Sequence, residues 1–141
     1  YIEMNNVTAD VVEIASSSGD VKLSDGKIDN FQIGTSSGYV TWKNTESEHI
    51  SITAKSGEVN VSGLGEQTNA EVSTGSGDIG ISYGTQPQNL SFKISSGSDD
   101  VSVRLDDASY TMETSACKQG KIGDGTYSLT VNSDSGTVVI H

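Results

Sequence analysis

The sequence predicts an all-β fold, a single-stranded β-helix or β-solenoid of about seven coils with a period of 19–20 residues. Three observations predict it. Apolar and polar residues alternate in short runs, the pattern of a strand with one buried face. A Ser-Gly corner returns between pairs of such runs, as in "SSSGDVKL" at 16–23, "TSSGYVTW" at 35–42 and "TGSGDIGI" at 74–81. The segments joining one pair to the next, such as "SDGKIDN" and "SYGTQPQN", are rich in turn-forming residues.

Counting back five positions from each corner aligns the first strands on Ile14, Ile33, Ile52, Val72, Phe92, Met112 and Val131. Two residues earlier lies a second apolar column of Val12, Phe31, Ile50, Ala70, Leu90, Tyr110 and Leu129, and two residues later a third, mostly small one of Ser16, Thr35, Ala54, Thr74, Ile94, Thr114 and Ser133. The corner supplies two structural columns. Ser18, Ser37, Ser56, Ser76, Ser96 and Ser135 occupy the first, and Gly19, Gly38, Gly57, Gly77, Gly97 and Gly136 the second. Ala116 and Cys117 break both. The second strands then contribute inward pairs from Val21 and Leu23 to Val138 and Ile140, with Trp42 expected in the core beside Leu23 and Val61. Asn30, Asn69 and Asn89, with His49 at the equivalent place, precede the first strands, and a partial coil is expected around Val7. The fifth unit carries extra residues in its turn ("SGSDDV"), and the sixth ("SACKQGKIGDG") departs most from the pattern.

A unit this short suits one coil of a solenoid, because helical repeats and propeller blades need more than about 30 residues. Ladder spacing of about 4.8 Å makes such a stack roughly 34 Å long. A single coil has little apolar surface, so stacking completes the core. Gly suits a sharp corner because it adopts positive φ without penalty, and the preceding Ser can bond backbone groups that the corner leaves unpaired. The competing fold is an antiparallel β-sandwich, which gives no reason for one corner chemistry at a constant interval.

With 141 residues the chain is expected to be one domain, 1–141, as a fragment or mature part of a longer chain. A net charge of -11 argues against nucleic acid and anionic membrane surfaces, which recruit Lys and Arg. No apolar run reaches the roughly 18–20 residues of a membrane span, so direct insertion is not expected. Cys117 is the single cysteine, which excludes an intrachain disulfide.

The recurrent "S-G-[DE]-[VI]-x-[VLI]" units resemble those of a bacterial adhesin-type domain family of unknown function, over Val12 to Ile140. The resemblance implies a β-helix-like fold and a cell-envelope or extracellular setting. It supplies no catalytic residues.

The position after the corner Gly reads Asp20, Tyr39, Glu58, Asp78, Ser98, Lys118 and Thr137. Tyr39 could stack on a sugar ring, and Glu58 and Asp78 are acidic in adjacent coils. With Asp99 and Asp100 they are the candidate ligand-binding residues. The column is too mixed for a repeat-borne calcium site, so no metal or other cofactor is expected. His49 and His141 lack metal-ligand spacing, and Cys117 has no His near it in the repeat.

The expectation is a non-enzymatic structural or adhesive module presenting a rigid, acidic, Ser/Thr-rich surface to a protein or glycan at the cell surface. The alternative is a polysaccharide-active lyase or hydrolase using Asp99, Asp100, Asp106 and Asp107 around Arg104, the kind of carboxylate cluster such chemistry needs. The C-terminal run "TVVIH" reads as the last coil of the stack, an end expected to pair with another copy or a neighbouring domain.

Overall fold

The structure, a computed structural model, describes residues 1–44, 46–65, 67–98 and 100–141. Among them are fifteen strands and no helix: β1 (Ile2–Asn5), β2 (Thr8–Ser16), β3 (Val21–Ser24), β4 (Lys27–Ser37), β5 (Val40–Lys43), β6 (His49–Ser56), β7 (Val59–Leu64), β8 (Asn69–Ser76), β9 (Ile79–Tyr83), β10 (Leu90–Ser96), β11 (Val101–Val103), β12 (Ser109–Glu113), β13 (Cys117–Ile122), β14 (Tyr127–Ser135) and β15 (Val138–Ile140). The fold is therefore all-β, and its strands form two sheets. Within a unit the chain crosses a Ser-Gly corner from the eight-stranded sheet to the seven-stranded one, then returns to the next unit.

Parallel pairing aligns the predicted columns for the first four units. Ile14 faces Ile33, Ile33 faces Ile52 and Ile52 faces Val72, while Val21, Val40, Val59 and Ile79 follow one another in the other sheet. Side chains from the two sheets meet in one core. Trp42 is fully buried in register with Leu23 and Val61, and its ring packs edge-on against Phe31 at 4.5 Å between centroids. Val7, where a partial coil is expected, lies between β1 and β2; the strand that precedes unit one in the stack is β1, paired in parallel with β3.

Beyond unit four the stack departs from sequence order. The seven-stranded sheet runs β1-β3-β5-β7-β9-β15-β11, and the other runs β12-β13-β10-β14-β8-β6-β4-β2. The C-terminal unit, β14 with β15, thus lies between units four and five. This corrects the expectation that it ends the stack. Leu129, Val131, Val138 and Ile140 are almost wholly buried, which a terminal coil could not achieve.

Two further corrections follow from pairing. In unit five Ile94, not Phe92, faces Val131, and Ser96 faces Ser133. Val101 faces Val138, so the same five-residue step separates the paired positions on both strands. The extra residues therefore precede β10 rather than enlarging its corner, and Asn89 falls outside the row of Asn30, His49 and Asn69. The sixth unit is not a coil. β12 and β13 pair antiparallel, and β13 pairs antiparallel with β10. Without a Ser-Gly corner, Thr114 closes a tight turn instead, its N–H donating to the Cys117 carbonyl at 2.8 Å and its hydroxyl accepting from the Cys117 N–H at 2.9 Å. Met112, expected in the core, is 49% exposed as a result. Among the described residues, six units pair in parallel.

Candidate functional site along the stacked corners

The corner begins inside the core. The third inward column carries hydroxyls because the corner leaves carbonyls there that need donors. Thr35 Oγ1 donates to the Ser37 carbonyl at 3.1 Å, and Ser96 Oγ donates to the Gly136 carbonyl at 2.7 Å. Thr74 and Ser133, both buried, lie 3.2 Å apart and both reach the Gly77 carbonyl. The serine preceding the Gly works between rungs: Ser56 Oγ donates to the Ser36 carbonyl, one rung away, at 3.1 Å.

The corner glycines are required twice over. Gly38, Gly57, Gly77 and Gly136 have φ between 122° and 140°, a region that side chains disfavour. A Cβ on any of them would also meet the carbonyl of the glycine one rung below at under 3.0 Å. Gly97 does not share the positive φ, consistent with its place in a shifted frame.

Backbone bonds fix the row that follows the glycines. The N–H groups of Val21, Val40, Val59, Ile79 and Val138 donate to the carbonyls of Tyr39, Glu58, Asp78, Thr137 and Asp100 in turn. In space the row reads Asp20, Tyr39, Glu58, Asp78, Thr137, Asp100. Sequence alignment put Ser98 and Lys118 in it and left Asp100 out; the unit-five frame shift reverses that. Much of the acidity serves the stack itself. Asp20 Oδ1 accepts the Tyr39 N–H at 3.0 Å, and Asp78 Oδ1 accepts the Thr137 N–H at 2.8 Å. Thr137 Oγ1 donates to Asp100 Oδ2 at 3.0 Å.

Three of the five candidate binding residues come together. Tyr39, 56% exposed, shares with Glu58 and Asp78 a shallow groove of about 370 Å³ floored by Gly38, Gly57 and Gly77. Asp100 lies two rungs beyond Asp78, past Thr137, and Asp99 falls outside the described residues. Of the cluster weighed for catalysis, Asp100, Arg104, Asp106 and Asp107 lie within the described residues. Arg104 forms no ion pair with Asp100, Asp106 or Asp107 among the described residues, and its N–H donates to the Ile140 carbonyl. Among the described residues no three His, Cys, Asp or Glu side chains are placed to hold a metal ion.

Sequence reasoning passed over two other recesses. One, about 660 Å³ along the return segments, is lined by Lys27, Asp29, Glu46, Glu48 and the backbone of Gly63 and Gly65. Its signal was the recurrence of acidic residues in "SDGKIDN" and "KNTESEH" one period apart. The other, about 620 Å³, crosses the outer face of the eight-stranded sheet over Asn30, His49, Asn69 and Ser128.

Fold and corner together define an all-β, two-sheet repeat domain whose identity resides in stacked Ser-Gly corners. The chain belongs to the Toastrack DUF4097 family, an uncharacterised domain family whose model matches residues 2–141. The family name suggests a solenoid-like fold, and it does not designate adhesion. Comparisons with curated proteins and with solved structures find no match.

Proposed function

We propose that the domain is a non-enzymatic structural or binding module of the bacterial cell envelope or cell surface, a β-solenoid that holds its corner edge rigid for contact with a glycan. One observation carries the reading: an exposed aromatic ring, Tyr39, lies on a backbone floor of stacked glycines, with the Glu58 and Asp78 side chains on the next two rungs. A sugar ring stacked on tyrosine exposes hydroxyls at its rim, and carboxylates at ladder spacing would accept from them. Asn60 Nδ2 donates to Glu58 Oε1 at 2.7 Å and orients that acceptor. Binding needs no movement of the corner, since every rung is bonded to the next.

The test is a screen of cell-wall polymers and glycans against the purified chain, with and without Ca²⁺. Selective binding weakened at least tenfold by Tyr39→Ala, with unchanged melting temperature, supports the reading. Binding indifferent to Tyr39→Ala and Glu58→Gln refutes the corner as the contact face. Turnover of any polymer that is lost in the Asp100→Asn, Asp106→Asn, Asp107→Asn variant would favour the enzymatic alternative instead.

A further inference from the structure

We infer that the C-terminal unit is an exchangeable closing piece, and that the slot it fills between units four and five accepts the same unit from a second copy of the chain, giving a swapped dimer. The strand order carries the inference. β14 has β8 on one side and β10 on the other, and β15 likewise lies between β9 and β11. Both walls of the slot are built from residues that precede the unit in the chain. A strand pair placed there satisfies two parallel ladders in each sheet at once.

The connection into the slot has the character of a hinge. β13 and β14 pair with opposite sides of β10, so residues 123–126 must cross over its start. That crossing uses positive φ at both Gly123 and Gly125, and a Cβ on Gly123 would meet the Gln88 carbonyl under 3.0 Å away. Asn89 holds the crossing closed, its side chain accepting the Asp124 N–H at 3.2 Å and its carbonyl the Tyr127 N–H at 3.2 Å. Short connections of this kind are where strand exchange arises.

The slot is selective for this unit. Gly136 stacks on Gly77, Ser133 reaches the buried Thr74 hydroxyl, and Thr137 bonds Asp78 on one side and Asp100 on the other. A unit with an acid where Thr137 stands would face carboxylates on both flanks. The same segment of a second copy carries every one of these contacts.

The experiment uses the full chain with Cys117→Ser, Asn69→Cys and Ser128→Cys. Asn69 and Ser128 lie next to the Ala70–Leu129 pair and are joined by a 3.0 Å hydrogen bond, so a disulfide there reports which copy's β14 fills the slot. The chain is unfolded, refolded over a range of concentrations, oxidised, and analysed by non-reducing gel and light scattering. The expected result is an intrachain bond at low concentration and a growing share of interchain-bonded dimer at high concentration. Adding Gly123→Val should raise that share about tenfold at a given concentration, from the cost of left-handed backbone in a side-chain-bearing residue. An intrachain bond at every concentration in the three-substitution chain overturns the inference, whether or not the Gly123→Val chain folds. A dimer that forms without an interchain bond also overturns it, since that dimer associates by another surface.

Discussion

Replacing Gly77 with Ala tests whether the stacked corners hold the fold together. The backbone there has φ +138°, which costs a residue bearing a side chain about 1–3 kcal/mol. The new Cβ would also lie under 3.0 Å from the Gly57 carbonyl, with backbone rather than a flexible side chain in the way, so the corner must shift. Overpacking of that kind adds about 1–3 kcal/mol. Stiffening of the unfolded chain returns about 0.4–1 kcal/mol, leaving a net loss of about 1–6 kcal/mol. For a domain of this size that lowers the melting temperature by about 3–20 °C. Gly34→Ala is the control, because nothing lies within 4 Å of a Cβ there and its φ is not positive, so it should be neutral or slightly stabilising. Guanidinium unfolding followed by fluorescence of Trp42, the single and fully buried tryptophan, measures both. Equal losses in the two variants would refute the argument, since they would show that the corner relaxes freely.

Three other outcomes follow from the packing. Ile140→Ala, one residue from the chain end, should cost about 2–5 kcal/mol in the same unfolding assay, as for any fully buried isoleucine. Met4→Ala, half-buried on the open edge strand β1, should cost less than half as much; the reverse order would contradict the intercalated topology. Trp42→Phe, followed by circular dichroism because it removes the fluorescent reporter, should cost less than about 1.5 kcal/mol, since the cavity it leaves is offset by removing a buried indole N–H that has no partner among the described residues; a loss above about 3 kcal/mol would contradict that offset. Burial alone raises the Tyr83 hydroxyl above the ordinary tyrosine value, and that hydroxyl has no partner among the described residues. The folded state thus holds the proton more tightly, so the contribution is complete below about pH 10 and declines as pH rises through the folded value. Tyr83→Phe should flatten the fall in stability measured by denaturant titration above pH 10, and an unchanged slope would assign it to other groups.

What the sequence disclosed was the geometry of one unit. A corner that needs positive φ and a clear approach for the neighbouring rung admits little but glycine, so Gly19, Gly38, Gly57, Gly77 and Gly136 could be read as one column without coordinates. The inward hydroxyls were visible as a column of small residues, but their purpose was not, because carbonyls stranded by the corner have no trace in the sequence. Frame was harder. Alternation has a period of two, so a slip of two residues leaves every inward residue inward; counting back from Gly97 put Phe92 in the place beside Val131 that Ile94 occupies. The choice made there carried Asp100 out of the row it shares with Asp78 and Thr137. The candidate groove was legible to the extent that it lies within units two to four, where the frame is unbroken.

Order along the stack is a different kind of information, and periodicity does not contain it. Each parallel edge offers the same ladder of donors and acceptors to any unit with the right corner spacing, so neighbours are chosen by side-chain detail at the contact. Here the detail is the pairing of Thr137 with two acids and of Ser133 with Thr74, groups 59 residues apart in the latter case. The consequence reaches past architecture. In a solenoid stacked in chain order, contacts join sequence neighbours and an end can fray while the rest persists. Here the final residues separate unit four from unit five, so losing them opens both sheets in the interior of the stack. Residues 127–140 therefore join the two parts of the molecule into one cooperative unit, and the long loop that must close before they dock should make that step the slow one in folding.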